Sequence, residues 1–234
     1  MRRAQFVVAA LLLCAVALLP TPGAGQAAGG EQALRGRVQA ALAAKNWQQA
    51  ADALGRLVAL DPRWDHLQSL GDAESNLGRY QEAPDAYDRG IRAAQADRQA
   101  PASRTRSAIA AMWTGKGNDF LEMRRPDEAI DAYTKAAGLS PNPGLPYFNL
   151  CATQYNLGRT EGALAACDKA IKADPGRADA YFIKGSLLVA QATTGKDGKT
   201  VAPPGTIEAL RKYLELAPDG AHVRDVREML DYSK

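Results

Sequence analysis

The stretch YFNLCATQYNLGRTEGALAACDKAIKADP, residues 147–175, holds two apolar-patterned segments joined by a Gly-containing turn. In its second half an Ala is followed, after three residues, by an apolar residue, and this spacing recurs along the chain. The copies are Ala50–Leu54, Ala83–Tyr87, Ala129–Tyr133, Ala163–Cys167 and Ala209–Tyr213. Successive Ala positions are 33, 46, 34 and 46 residues apart. A period of about 34 residues is typical of stacked helical hairpins.

A small residue upstream of each Ala would let the two helices of a hairpin approach closely. Gly71, Gly117 and Cys151 each stand 12 residues before the Ala of their own hairpin. Gly185 stands 24 residues before its Ala, because a Gly-, Thr- and Pro-rich insertion at 193–205 intervenes. Since no hairpin of this kind buries its own apolar face, the hairpins are expected to stack on one another.

Two insertions lengthen the repeat, and their compositions differ. Residues 95–107 are rich in Ala, Gln and Arg, so we expect them to extend both flanking helices around Pro101, which suits the first helical position. Residues 193–205 predict a mobile loop with no role in the core. The loop contains Gly-Lys-Thr, as phosphate loops do, but Thr193 replaces the Gly that the phosphate motif requires five positions earlier.

These residues make the chain resemble the tetratricopeptide repeat family, whose first helices carry a Trp-x2-Leu-Gly-x2-Tyr pattern. Partial copies of that pattern begin at Leu67, Trp113, Tyr147 and Tyr181. The resemblance implies an all-α solenoid, a right-handed superhelix of about five hairpins with a C-terminal capping helix. The implied repeats lie at about 31–62, 64–94, 110–141, 144–175 and 178–218, with the cap at 221–232. We expect helices at 31–44, 46–60, 64–77, 80–98, 102–123, 126–139, 145–157, 160–173, 178–192, 205–217 and 221–232.

The N-terminal residues 1–28 have the pattern of a secretory signal. Two Arg residues precede an apolar run of 14 residues, Phe6–Leu19, and a tail of small residues follows. In that tail Gly25-Gln26-Ala27 resembles the Ala-x-Ala cleavage site of secretory signals. A bilayer span needs about 20 apolar residues, which makes an uncleaved anchor the weaker alternative. Leu13 stands where a lipoprotein signal has a small residue before its Cys, which argues against lipidation of Cys14.

The mature domain would therefore be 29–234, exported to the periplasm of a bacterium or secreted. Removal of Arg2 and Arg3 lowers the formal charge from +3 to +1. A nearly neutral chain favours neither nucleic acid nor an anionic membrane surface as a partner. The chain has two histidines, His66 and His222, and no Cys-x2-Cys spacing, so the sequence predicts no metal, no cofactor and no enzyme activity.

Cys151 and Cys167 lie at equal distances from Arg159, in the turn of the hairpin at 144–175. In an antiparallel hairpin such positions face each other, and a disulfide requires Cα atoms about 4.4–6.8 Å apart. A bridge and two buried free thiols are both compatible with this placement.

The resemblance further implies that partners bind a groove lined by the first helices. The candidate groove residues are Asn118, Phe148, Asn149, Tyr155, Phe182 and Ser186. Asn118 and Asn149 match the two Asn positions with which some family members clamp a C-terminal carboxylate. The basic positions of that clamp hold Thr114, Asp179 and Ile183 instead, which speaks against the clamp but leaves the amides free to bind a peptide backbone.

The three aromatic candidates are either binding anchors or packing residues between neighbouring helices. The second repeat offers only Gln68, Asp72 and Ser75, so we expect binding to map to the third to fifth repeats. The expected function is a non-catalytic scaffold of the bacterial envelope that holds another protein or an extended peptide, with no small-molecule substrate. The alternatives are a structural or self-assembling component that uses its convex or terminal surfaces, and an enzyme or cofactor-binding protein.

Overall fold

The computed structural model describes residues 22–196 and 199–233 of the chain. Within that part eleven α-helices follow one another, interrupted by one pair of short strands. The helices are α1 (Pro22–Ala43), α2 (Trp47–Leu60), α3 (Trp64–Asn76), α4 (Ala83–Ala96), α5 (Ala102–Glu122), α6 (Pro126–Leu139), α7 (Gly144–Asn156), α8 (Thr160–Ala173), α9 (Ala178–Val189), α10 (Thr206–Leu216) and α11 (Val223–Tyr232). The strands β1 (Thr193–Thr194) and β2 (Thr200–Val201) pair antiparallel between α9 and α10.

The helices pack as consecutive hairpins, from α1–α2 to α9–α10, and each hairpin also contacts the next one along the chain. Apolar clusters follow one another through the stack, so the core is distributed along its length. The predicted all-α solenoid of helical hairpins is therefore confirmed. Helix α11 touches both α10 and α9, just as α5 touches both α4 and α3, and so it covers the last hairpin.

Glycines of the first helices allow the close approach on which each hairpin depends. A Cβ atom at Gly71 would lie 2.5 Å from the ring of Tyr87, and one at Gly117 would lie 2.5 Å from the ring of Tyr133. Gly115 of α5 approaches Tyr87 from the other side, where a Cβ would lie 2.6 Å from Cζ. Tyr87 is therefore wedged between α3 and α5.

The turn between the helices of a hairpin places one residue in the left-handed region. Gly78 has φ of 75° and Gly158 has φ of 68°, which glycine adopts without steric cost. Lys45 and Arg124 occupy the same kind of turn with φ of 52° and 57°, where a Cβ atom is unfavourable. The first and third hairpins therefore carry backbone strain that the second and fourth avoid.

The insertion at 95–107 extends only one of its flanking helices. Helix α4 ends at Ala96, and Asp97 then accepts hydrogen bonds from the backbone N–H groups of Gln99 and Ala100. These bonds, chiefly the one from Ala100, hold the pKa of Asp97 below its ordinary value. Pro101 is the N-cap of α5 and not its first helical residue. The predicted extension of both helices was wrong on the α4 side, because Asp97 stabilises a turn there.

The insertion at 193–205 is not a simple loop. Thr193 pairs with Val201 and Thr194 with Thr200, and the insertion ends where the buried Thr206 hydroxyl donates to the carbonyl of Pro203 at 2.6 Å. Residues 1–21, with Cys14 and most of the expected signal, lie outside the described residues, as do 197 and 198 within the insertion. No helix in the described ranges combines the length and apolar character that crossing a membrane requires.

Candidate binding cleft between the first helices

A cleft of about 590 Å³ opens where α3, α5 and the start of α7 meet. The residues that line it come from three first helices, from Tyr87 of α4 and from the turn before α7. They are Asp72, Ser75, Asn76, Tyr87, Ser107, Ala110, Ala111, Thr114, Gly115, Asn118, Ser140, Pro141, Asn142, Leu145 and Pro146. This volume lies in the range of pockets that enclose a small ligand or a few side chains of a peptide.

Two carboxylates and two hydroxyls are linked at one wall of the cleft. The Tyr87 hydroxyl donates to Oδ1 of Asp72 at 2.8 Å, and the Ser75 hydroxyl donates to Oδ2 of Asp119 at 3.0 Å. The two hydroxyl oxygens lie 3.3 Å apart. Because each hydroxyl carries one proton, both protons are already given to carboxylates, and the cluster has more acceptors than donors. We call Asp72, Ser75, Tyr87 and Asp119 the acidic cluster.

The acidic cluster is electrostatically unfavourable on its own. Asp119 is 1% exposed, and burial, together with the nearby Asp72 and Glu122 carboxylates, raises its pKa to about 6. Burial also raises the pKa of Asp72, although the Tyr87 hydrogen bond opposes that shift. The pKa of Tyr87 is raised by burial and by the charge of Asp72. Within residues 22–196 and 199–233, neither Asp72 nor Asp119 forms a salt bridge.

Asn118, one of the predicted groove residues, lines the same cleft. Its Oδ1 accepts a hydrogen bond from the hydroxyl of Tyr133 at 2.7 Å, which holds the side chain in place. The side-chain amide nitrogen keeps its two N–H donors for a ligand, since it bonds to no described residue. The cleft thus offers an amide donor on α5 near a carboxylate acceptor on α3.

The other predicted groove residues lie toward the C-terminal end of the stack. Phe148, Tyr155 and Phe182 are partly buried, and all three pack against the core cluster that contains the two cysteines. The guanidinium of Arg177 lies 5.3 Å from the centre of the Phe148 ring. Asn149 is also partly buried, and its backbone carbonyl accepts the Thr153 hydroxyl. The structure does not bring these residues to the cleft that contains Asn118.

Phe182 and Ser186 are covered by the C-terminal segment. The ring of His222 stacks on Phe182 with 3.8 Å between centroids and 5° between planes. The Ser186 hydroxyl donates to the carbonyl of Phe182 and lies 3.7 Å from Sδ of Met229 in α11. Both residues therefore contact the cap directly.

The two cysteines of the fourth hairpin are joined in the structure. Their Sγ atoms are 1.99 Å apart and their Cα atoms 5.0 Å apart, and both side chains are fully buried. The bridge ties α7 to α8 at the level where Gly117 meets Tyr133 in the preceding hairpin.

Asp119 was not predicted as a site residue, although the sequence holds a signal for it. It stands seven residues after the fully buried Met112, on the same face of α5. A carboxylate on the buried face of a helix is rare unless it has a structural or binding role. In the described residues, no three His, Cys, Asp or Glu side chains lie close enough to hold a metal ion.

The family model described as tetratricopeptide repeat matches residues 35–101, 114–178 and 152–197, which together exceed half of the chain. The chain belongs to the tetratricopeptide repeat family. Among curated relatives, this tetratricopeptide repeat chain is 31% identical to sperm-associated antigen 1 of Mus musculus over 114 residues, or 49% of its own length. It spans only 12% of that relative.

Solved structures share the fold of this tetratricopeptide repeat chain at low identity. YrrB, described as a protein with an unusual peptide-binding site, has 17% identity and a TM-score of 0.59 over 82% of this chain and 88% of its own. MamA from Desulfovibrio magneticus RS-1 has 19% identity and a TM-score of 0.61 over 82% and 97%. At these identities the comparison shows a shared fold.

Proposed function

We propose that this chain is a non-catalytic adaptor that binds an extended segment of a partner protein in the cleft between α3, α5 and α7. The observation that carries the proposal is the cleft itself, which places a carboxylate and a side-chain amide on adjacent first helices. A peptide backbone alternates N–H donors and C=O acceptors, so Asp72 and Asn118 together match both kinds of group.

Three further observations support this function. The family's solenoid is a fold that presents extended binding surfaces, and one structural neighbour is described as peptide-binding. The cleft also has an apolar wall, formed by Pro141, Leu145 and Pro146, against which a partner side chain could pack. Leu145 is 48% exposed, as a residue awaiting an apolar partner would be.

The proposed compartment is the bacterial envelope or the medium. The signal-like residues 1–28 and the disulfide between Cys151 and Cys167 support it, since disulfides persist in oxidising compartments. The test is to fuse residues 1–28 to alkaline phosphatase, which is active only after export, and to compare it with a fusion that lacks them. Equal activities would contradict export by this segment.

Groove binding is tested by selecting random twelve-residue peptides on the immobilised chain. Dissociation constants of the selected peptides are then measured by fluorescence anisotropy. Asn118→Arg places a long side chain in the cleft at an exposed position, and we expect it to weaken binding about 30-fold, as loss of an interface hot spot does. Gln95→Arg is the matched control, since Gln95 is an exposed residue of α4 outside the cleft lining and the change in charge is the same.

Circular dichroism establishes that both variants fold. If no peptide is retained, or if the Asn118→Arg variant binds selected peptides as tightly as the parent, the cleft is not the binding site. A partner would then use another surface, such as the end of the stack at α2 where Leu60 is 61% exposed.

A further inference from the structure

We infer that the cleft takes a basic side chain, a Lys or Arg of the partner's segment. Its charged group lies at Asp72, with the rest of the acidic cluster behind it. The inference rests on the proposed function and adds the chemistry of the partner. Three features support the inference: the negative charge of the cleft lining, the shortage of hydrogen-bond donors in the acidic cluster, and the apolar wall of the cleft.

The formal charge of the cleft lining is negative and comes from one residue. Among the described residues that line it, Asp72 is the one with a formal charge, and Asp119 lies directly behind Ser75. Glu122 adds to the negative potential at Asp119. A cation bound here would find no competing cation within the lining, and like charges near each other favour a cationic ligand.

The acidic cluster has more hydrogen-bond acceptors than donors. Oδ1 of Asp72 accepts the Tyr87 hydroxyl, while Oδ2 accepts no hydrogen bond from any described residue. The hydroxyl protons of Ser75 and Tyr87 are already engaged with carboxylates. An ammonium or guanidinium group brings three or five N–H donors and accepts nothing, which complements an acidic cluster with an open acceptor and no spare donor.

The apolar wall distinguishes a side chain from a small cation. Leu145, Pro141 and Pro146 line the same cleft as Asp72. Lys and Arg carry an aliphatic stem that packs on apolar surface while the charged group reaches a polar partner. A small inorganic cation or a bare amine would leave that wall uncovered.

The test uses the selected twelve-residue peptides, resynthesised with an acetylated N-terminus and an amidated C-terminus so that the side chains carry the only charges. Each Lys is replaced in turn by norleucine and each Arg by citrulline, which keep the length and remove the charge. We expect one basic position in each peptide whose neutralisation weakens binding at least tenfold. Peptides that bind through Asn118 but need no basic side chain would overturn this inference and leave the groove proposal standing.

Matched variants of the chain locate the charge. We expect Asp72→Asn to weaken binding at least tenfold, Asp119→Asn about threefold because it lies behind the surface, and Asp131→Asn not at all. Asp131 is the control, since it is exposed on α6 and outside the cleft lining. With a norleucine or citrulline peptide, the loss on Asp72→Asn should disappear.

Two outcomes count against the inference. Equal binding by the Asp72→Asn and Asp131→Asn variants would show that the carboxylate does not receive the cation. Loss of all binding on acetylation would assign the cleft to a chain N-terminus and not to a side chain.

Discussion

The third and fourth hairpins solve the same packing problem with different chemistry. In α5–α6, Gly117 leaves room for the ring of Tyr133, whose hydroxyl donates a hydrogen bond to Asn118 in the cleft. In α7–α8, the two equivalent positions hold Cys151 and Cys167, which are bonded to each other. Both arrangements hold the helices together, but only the tyrosine carries a polar group to the surface of the first helix.

The second hairpin follows the tyrosine pattern as well. The hydroxyl of Tyr87 reaches Asp72, which lies 15 residues earlier, and the hydroxyl of Tyr133 reaches Asn118, also 15 residues earlier. The residue at that distance before Cys167 is Ala152, which has no polar side chain. The difference explains why α3 and α5 bring polar side chains to the cleft, whereas α7 contributes Leu145 and Pro146.

The largest expected effect comes from reducing the disulfide. The bond closes a loop with a sequence separation of 16, and its loss should lower the free energy of unfolding by about 3 kcal/mol. Urea unfolding with and without dithiothreitol measures this effect. The control variant Cys151→Gly/Cys167→Tyr rebuilds the tyrosine pattern, so its stability should not respond to reductant.

The bonding state of the cysteines is checked separately. Alkylation under denaturing conditions without reductant, followed by mass spectrometry of the peptides, should leave Cys151 and Cys167 unlabelled in protein from its own compartment. Labelling of both would show two free thiols, and the comparison of the hairpins would then be one of packing alone.

The next effect tests the glycine of the tyrosine pattern. Gly117→Ala would place a Cβ atom 2.5 Å from the Tyr133 ring, which is buried and cannot withdraw freely. We expect the free energy of unfolding to fall by about 2 kcal/mol, as overpacking does. Gly138→Ala in α6 is the control, since no atom lies within 4 Å of the added Cβ, and it should stabilise by about 0.5 kcal/mol. Similar losses for both would contradict the close approach.

A smaller effect concerns Asp119, the buried acid of the cleft. Its pKa in the folded chain is about 6, above the ordinary value of 3.8. The folded state therefore holds the proton more tightly than the unfolded state, and this group's contribution to stability falls as pH rises from 4 to 6. Asp119→Asn removes the charge, so the free energy of unfolding of the variant should exceed that of the parent at pH 7.5 and match it near pH 4.

Urea unfolding at pH 4, 5, 6 and 7.5 measures this difference. An advantage of the variant that is the same at every pH would show that the carboxylate is not the cause. A variant that is more stable at pH 7.5 but binds peptides more weakly would show that the Asp119 carboxylate serves binding at the expense of stability.

The smallest effect lies in the turn of the third hairpin. Arg124 has φ of 57°, where Gly78 and Gly158 stand in the second and fourth hairpins. Arg124→Gly should raise the free energy of unfolding by about 0.5 kcal/mol. The reason is that the steric cost of the left-handed conformation for arginine exceeds the entropic cost of ordering a glycine. The melting temperature measures it, with Arg106→Gly in the helical part of α5 as the control that should destabilise.

Most of the fold follows from local patterns in the sequence. The Ala and Gly spacings predicted every hairpin, since they depend on contacts inside one repeat. The helix ends agree within a few residues except at the start of α1, which was predicted at residue 31 and begins at Pro22. The N-cap position of Pro101 and the strand pair at 193–201 were not predicted. Both depend on local hydrogen bonds, made by Asp97 and by the Thr residues, that composition does not specify.

The site was less predictable than the fold. The expectation that binding maps to the later repeats stays a prediction, but the cleft involves Asp72 and Ser75 of the second repeat. The contact of Phe182 with His222 depends on where the cap lies, which no repeat pattern specifies. Asp119 was missed because its role depends on a serine 44 residues away in the sequence.

Tyr87 gives the cleft a mechanical property. Its ring is held between Gly71 of α3 and Gly115 of α5, while its hydroxyl is bonded to Asp72. Bending the solenoid so that α3 and α5 separate would loosen the ring and withdraw that proton from the carboxylate in the same motion. The spacing of α3 and α5 and the hydrogen bond to the cleft carboxylate therefore depend on the same side chain.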